Sequence, residues 1–250
     1  MDIKKNPWFS VFRDVSQVRK RIFCFPYAGG GPIAFRRWPY KLPEDVQMCA
    51  VHLPGREHRL REDPFTRMEP LLDALCEAIE PHLDRPFVFF GHSMGGLVSF
   101  ELARLMRKRG MPLPTHLSIS SFRAPQHSSV IPGLHKLSDE ALIDKLRSLN
   151  GTPEWVLQNS ELMEMILPTI QADFELCDAY SYEEHEPFDF SISAFGGRDD
   201  HLISEESVKA WAIHTNADFS YELFPGGHFY IHTSSRNTVL GKLSEQLQDD

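Results

Sequence analysis

The sequence predicts an α/β fold: a mostly parallel central sheet flanked by helices, with a helical insertion over one edge. Three observations point there. Short apolar runs of strand length alternate with stretches of helical periodicity. The run Phe87-Val88-Phe89-Phe90 ends in Gly91-His92-Ser93-Met94-Gly95, and a helical pattern follows over 97–109. The segment 121–187 reads as helices with no strand between them.

The chain has 250 residues, which suits one α/β domain with an insertion. Apolar residues make up 42% and charged residues 24%, an ordinary globular balance. No apolar run is long enough for a membrane span, and the start, Met1-Asp2-Ile3-Lys4-Lys5, lacks an apolar signal core. The net charge of −9 argues against nucleic acid or an anionic membrane as partner. Cys24, Cys49, Cys76 and Cys177 show no C-x-x-C spacing and read as buried thiols in a reducing compartment, so the expected location is the cytoplasm. The expected state is a monomer.

In chain order, residues 1–20 read as a polar arm pinned by Trp8 and Phe9. Arg21-Ile22-Phe23-Cys24-Phe25 is the first core strand. It runs into Pro26-Tyr27-Ala28-Gly29-Gly30-Gly31, a glycine-rich loop without a phosphate-binding fingerprint. In a fold carrying a strand–Ser–helix turn, a loop in this place supplies a backbone N–H for an oxyanion; the plainer alternative is a tight turn. A second strand covers 47–53 and ends in the charged loop Pro54-Gly55-Arg56-Glu57-His58-Arg59. Thr66-x-x-Glu69 reads as a capping box before a helix whose Leu71, Leu72, Leu75, Ile79 and Leu83 share a face. The Ser93 strand and its helix follow, closed by Gly110 as C-cap, and 115–120 is a further strand.

The organisation expected is a first core part at 1–120, a lid at 121–187 and a second core part at 188–250. In the lid, Ser138 caps a helix with Leu142, Ile143 and Leu146 inward. Leu162, Met163, Ile166 and Ile170 mark another, bent or broken at Pro168. Met163, Met165, Leu167 and Phe174 are candidate pocket residues. The sheet resumes at 190–195 and ends in Gly196-Gly197-Arg198-Asp199-Asp200-His201. Ser204 starts a helix to about His214, 218–224 is the last strand, Pro225-Gly226-Gly227-His228-Phe229 follows it, and a helix from Asn237 closes the chain.

These pieces place Ser93, then Asp199 or Asp200, then His228, each just past a strand, in the chain order of α/β-hydrolases. Serine is a weak nucleophile unless a base takes its proton. His228 suits that task and the aspartate would orient its ring. Among 12 histidines, His228 alone combines a glycine-rich loop, a place after the last strand and a position beyond the acid. His232 is its nearest rival. Spacing alone leaves Asp199 and Asp200 both open, and no metal-ligand cluster is visible.

Six segments carry a resemblance to a known family. They are Phe25-Pro26-Tyr27-Ala28-Gly29-Gly30, Leu53-Pro54-Gly55-Arg56-Glu57-His58-Arg59, Gly91-His92-Ser93-Met94-Gly95-Gly96, Leu167-Pro168-Thr169-Ile170-Gln171-Ala172-Asp173, Phe195-Gly196-Gly197-Arg198-Asp199-Asp200 and Phe224-Pro225-Gly226-Gly227-His228-Phe229. Together they resemble the stand-alone type II thioesterases of polyketide and non-ribosomal peptide synthesis. The resemblance implies an α/β-hydrolase with a helical lid that hydrolyses acyl groups from the phosphopantetheine arm of carrier proteins, editing stalled or misprimed synthases. It implies Ser93 as nucleophile and His228 as base, selects Asp200 through Gly-Gly-x-x-Asp, and points to the backbone N–H groups of Ala28 and Met94 as the oxyanion hole. It implies no metal and no cofactor beyond the substrate's own phosphopantetheine, and a carrier-protein domain as partner. Two positions depart from the family pattern: Gln171 stands where the lid segment usually has Arg, and His201 stands where Pro commonly follows the acid.

Arg56, Arg59 and Arg61 are the candidate basic patch for an acidic carrier protein. The competing functions are a product-releasing thioesterase, an acyltransferase or an esterase on the same fold, and a non-catalytic binding module.

Overall fold

The computed structural model describes residues 2–128 and 131–248. Seven strands form one sheet in the order β1-β3-β2-β4-β5-β6-β7: β1 (Phe9–Ser10), β2 (Lys20–Phe25), β3 (Val46–Val51), β4 (Phe87–His92), β5 (His116–Ser120), β6 (Ser191–Gly197) and β7 (Phe219–Phe224). Among the described residues only β1 runs antiparallel to its neighbour, pairing Phe9 with Val51. The N-terminal segment is therefore an edge strand as well as an arm, with Phe9 buried in the core.

The central strands are apolar at nearly every position because both faces of the sheet are covered. Their side chains alternate between two cores. Phe23, Phe25, Cys49, Val51, Phe87 and Phe89 face α1 (Met68–Ile79) and α2 (Met94–Lys108). Ile22, Cys24, Met48, Ala50, Val88 and Phe90 pack with Val239, Leu240 and Leu243 of α7 (Arg236–Gln248) on the other face. Cys24, Cys49, Cys76 and Cys177 are all free thiols, the first three buried and Cys177 half-buried.

Helix α1 corrects one expectation. Its N-cap is Arg67, no side chain caps it, and Thr66 lies outside it. Pro70 then occupies the third helical position, where the lost N–H is an orphan donor anyway, so this start needs no capping box. The C-terminus of α2 fits expectation: Gly110 takes φ 67° just past Arg109, and the amides of Gly110 and Met111 satisfy late helical carbonyls.

Between β5 and β6 lie α3 (Asp139–Leu149), α4 (Glu154–Leu157) and α5 (Ser160–Ala179). They share a small core of Leu142, Leu146, Leu157, Met163, Leu167 and Ile170, separate from the two sheet cores. Ser138 Oγ accepts from the Ala141 amide and Asn159 Oδ1 from the Leu162 amide, fixing the starts of α3 and α5. Pro168 does not break α5, which is continuous over 20 residues. The ring sits on the exposed side, where water can take over the carbonyl that loses its N–H partner. After β6, α6 (Glu205–Lys209) starts at Ser204 and tightens into a 3₁₀ turn through His214.

Two buried histidines set a pH dependence. Burial pushes His52 down to about 4, against a weaker opposing effect of its bond to the Arg56 carbonyl. Burial, helped by the charge of His185, pushes His214 down to about 4. Unfolding returns both rings to about 6.5, so the unfolded chain binds more protons below that pH. Stability is thus fully present above about pH 6.5 and is lost as pH falls toward 4, by on the order of 3 kcal/mol per ring at most. Urea unfolding at pH 7.5 and 5.0 checks this. A midpoint that stays level or rises at pH 5.0 contradicts it.

Candidate active site

Ser93 sits at the turn between β4 and α2 with φ 51° and ψ −122°, a conformation that costs a non-glycine residue energy. The turn is held by the Ser93 amide donating to the Ser120 carbonyl (2.7 Å) and the Gly96 amide donating to the Ser93 carbonyl (2.8 Å). The flanking glycines are required by contact. A Cβ on Gly91 would lie 2.1 Å from the Gly95 carbonyl oxygen, and one on Gly95 would lie 2.1 Å from that of Phe25. The helix packs this tightly on the strand because neither side chain exists.

His228, on the loop after β7, brings its Nε2 to 2.9 Å from Ser93 Oγ. Its Nδ1 lies 2.8 Å from Asp200 Oδ2. The Asp200 side chain is fully buried, and its Oδ1 accepts from the amides of Leu202 (2.9 Å) and Ile203 (3.3 Å). The loop after β6 thus holds the carboxylate, and the carboxylate holds the ring. Asp199 does a different job: its Oδ2 accepts from the Gly226 amide (3.3 Å), tying the two loops together. His201, in place of the usual Pro, is exposed and leaves the Asp200 bonds intact. The Ser121 hydroxyl donates to the His228 carbonyl (3.1 Å), and Ser121 itself has φ 48°.

The other histidines lie outside this set. His92 is buried behind it, with Nδ1 2.8 Å from Ser120 Oγ, which in turn is 2.6 Å from the Tyr230 hydroxyl. Burial first, and then the nearby His228 ring, pushes His92 well below the ordinary histidine value and keeps it neutral. His232 Nε2 lies 3.0 Å from the Tyr27 hydroxyl.

The amides of Ala28 and Met94 have no acceptor among the described residues. Met94 opens α2, whose free N–H groups and dipole favour negative charge at this end. Ala28 belongs to the glycine-rich loop after β2. Both residues line the same cavity as Ser93 and His228. That cavity has a volume of about 360 Å³ and runs under the lid between Ile166, Ile170, Phe174 and Phe229. Of the four expected pocket residues only Phe174 lines it. Met163 and Leu167 point into the lid's own core and Met165 is half exposed. The lining residues Ile166, Ile170, Phe174 and Cys177 follow helical spacing along α5, one face over from the expected set.

The basic patch also needs correction. Arg56 and Arg59 are buried, at 5% and 6% exposure. Arg59 pairs with Glu62 and donates to the His52 carbonyl (2.7 Å). Arg56 pairs with Asp173 of α5 (2.8 Å). Only Arg61 is exposed, so these three arginines form no docking surface. Sequence reasoning missed the partnership across 117 residues; the visible signal was an aspartate on an otherwise apolar face of a lid helix. Gln171 instead stays within the lid, donating to Asp139 (3.3 Å). One group not visible in the sequence does converge on the loop after β3: His52, Glu57 and His58 place possible ligand atoms within 4.8 Å of one another. His52 Nε2 already bonds the Arg56 carbonyl and Glu57 Oε1 accepts from the Ile33 amide.

A mostly parallel sheet with serine, aspartate and histidine gathered beyond its strand ends, under a helical insertion, defines an α/β-hydrolase. Comparison with known proteins narrows the class. The family model described as "Thioesterase domain" matches residues 20–247. The gramicidin S biosynthesis protein GrsT of Aneurinibacillus migulanus is 44% identical over 234 residues, covering 94% of this chain and 91% of that protein. The solved structure of RedJ, a thioesterase of the prodiginine pathway in Streptomyces coelicolor, superposes with a TM-score of 0.88 at 37% identity, covering 93% and 87% of the two chains. That of BorB, a type II thioesterase from the borrelidin biosynthetic cluster, gives 0.89 at 33% identity, covering 96% and 98%. The chain belongs to the thioesterase family and is a thioester hydrolase of the α/β-hydrolase fold. Among the described residues no helix is long and apolar enough to cross a membrane.

Proposed function

We propose that this enzyme removes acyl groups from the phosphopantetheine arm of carrier-protein domains, clearing synthases of polyketide or non-ribosomal peptide assembly that carry a wrong or stalled group. The observation that carries the reading is the continuous chain Asp200–His228–Ser93 opening into an apolar cavity of about 360 Å³. That volume is at the small end for ligand sites and suits a short acyl chain better than a finished product. Similarity to proteins named for gramicidin S, prodiginine and borrelidin biosynthesis supports the setting. No bound metal or cofactor enters the proposed steps.

In the proposed mechanism His228 Nε2 accepts the Ser93 proton as Oγ attacks the thioester carbonyl. The resulting oxyanion accepts from the amides of Ala28 and Met94, which have no acceptor of their own among the described residues and belong to residues that line the cavity. Collapse breaks the C–S bond and expels the thiolate, which takes the His228 proton. Water then attacks the acyl-serine, giving its proton to His228, and the same two amides hold the second oxyanion; collapse breaks the bond between the acyl carbon and Ser93 Oγ, Oγ takes the proton back from His228, and the free acid leaves. Asp200 keeps Nδ1 protonated so that Nε2 is free to accept. A cleft of about 740 Å³ adjoins the cavity and shares Arg123, Cys177 and Asp178 with it; Arg123, His127 and Lys136 line it beside Glu175 and Asp178.

The test compares kcat/KM for one acyl group presented as a carrier-bound thioester, a small free thioester and an oxygen ester. Preference for the carrier-bound form over both is expected. Faster cleavage of the oxygen ester would move the enzyme to the esterases, and transfer to an added amine or alcohol would make it an acyltransferase.

A further inference from the structure

The buried pair formed by Arg56 and Asp173 is absent from the proposed steps, yet it grips the loop that carries Ala28. Asp173 Oδ2 accepts from the Gly29 amide at 2.7 Å. Arg56 Nη1 donates to the Gly30 carbonyl at 2.8 Å and to the same Asp173 oxygen at 2.9 Å, while Nη2 donates to Asp173 Oδ1 at 2.8 Å. Gly29 and Gly30 are therefore held from both sides, one by its N–H and the other by its C=O. Gly29 has φ 73°, and a Cβ there would meet Ile170 of the same lid helix at 2.6 Å. One turn of α5 thus packs Ile170 on the loop and the next bonds it.

The pair is costly to bury. Asp173 is 2% exposed and Arg56 5%, and a buried ion pair often stabilises no better than apolar residues of the same volume. What an apolar pair cannot do is aim an amide. With the Gly29 N–H engaged by Asp173, the next amide back, that of Ala28, has no acceptor among the described residues and lines the cavity beside Ser93. Thr169, one turn before Asp173, donates its hydroxyl to the Gly55 carbonyl, so the helix is seated on both the glycine-rich loop and the turn that carries Arg56.

We propose that Asp173, held by Arg56, is a positioning residue for the Ala28 oxyanion donor, so that the oxyanion hole is complete only while α5 of the lid is seated. This rests on the reading of Ala28 as an oxyanion donor. Asp173 touches neither substrate nor the reacting atoms; it acts through one peptide unit.

The experiment measures two quantities on wild type and Asp173→Asn: kcat and KM for a free acyl thioester, and affinity for an alkyl trifluoromethyl ketone. The ketone takes up Ser93 Oγ at its carbonyl carbon, the serine proton passes to His228, and the new alkoxide lies where the oxyanion would. Asparagine keeps one acceptor but cannot serve both Arg56 and the Gly29 amide as a charged group does. The expected result is a fall in kcat of about 10- to 100-fold with KM within about twofold, and a parallel fall in ketone affinity. Arg56→Lys keeps a cation beside Asp173 but loses the fork geometry, and the same pattern in smaller degree is expected, which guards against a folding defect in one variant. A change confined to KM, or unchanged ketone affinity in both variants, overturns the positioning role. Weak ketone binding by the wild type itself would instead overturn the oxyanion reading beneath it.

Discussion

Ser93→Ala is expected to reduce thioester turnover by at least about 10⁴-fold while leaving the fold intact. Ser93 Oγ is 2.9 Å from His228 Nε2 and stands at a strained turn between β4 and α2. Removing one oxygen removes the proposed nucleophile, whereas the amides of Ala28 and Met94 and the cavity stay as they are. Residual rate in the variant would measure what those amides supply to direct attack by water. The φ of 51° is a strain that the wild type sustains and alanine sustains no better, so a thermal midpoint within a few degrees of wild type is expected. Turnover within tenfold of wild type would remove Ser93 from the mechanism.

Asp200→Asn ranks second, with an expected loss of about 10⁴-fold in kcat. An asparagine amide in place of Oδ2 would donate toward Nδ1, favour the tautomer with its proton on Nε2, and leave no acceptor for the Ser93 proton. The change also leaves the Leu202 and Ile203 amides their acceptor, so the loop should hold. Asp199→Asn is the control. Its carboxylate faces the Gly226 amide and not the imidazole, and a loss of less than about fivefold is expected, from loosening of the two loops. The opposite ranking of the two variants, measured as kcat on the same thioester, would give the acid's role to Asp199.

Some of this was legible in the sequence because it follows from short-range rules. The strand at Phe87, the glycine-bounded turn and the helix after it are written within about twenty residues, and each glycine answers to a contact the structure makes explicit. The order of Ser93, Asp200 and His228 could be read because each follows, within a few residues, the end of a strand that the sequence marks, β4 by an apolar run and β6 and β7 by alternating apolar residues. Choosing between Asp199 and Asp200 needed the family pattern, since neighbours on one loop differ only in which way the backbone turns them.

What was not legible depends on contacts between distant segments. Arg56 and Arg59 sit in a charged loop and look like surface cations; Arg56 is buried against Asp173 on another element, and Arg59 lies over the Trp8 ring and donates to the His52 carbonyl. The pocket-lining face of α5 differs from the expected one by a fraction of a turn, because the lid's own core claims Met163 and Leu167. Periodicity finds an apolar face but does not say whether that face meets a neighbouring helix or an empty cavity. Thr66 looked like a cap because the motif counts residues, while Pro70 fixes where the first turn begins.

The most direct test of the central claim is the intact mass of an acetylated carrier protein after incubation with the wild-type enzyme and, separately, with Ser93→Ala. The account predicts loss of the acetyl mass with wild type alone, leaving the free phosphopantetheine thiol on the carrier. Retention of the acetyl group with both proteins, or its loss with both, would contradict it.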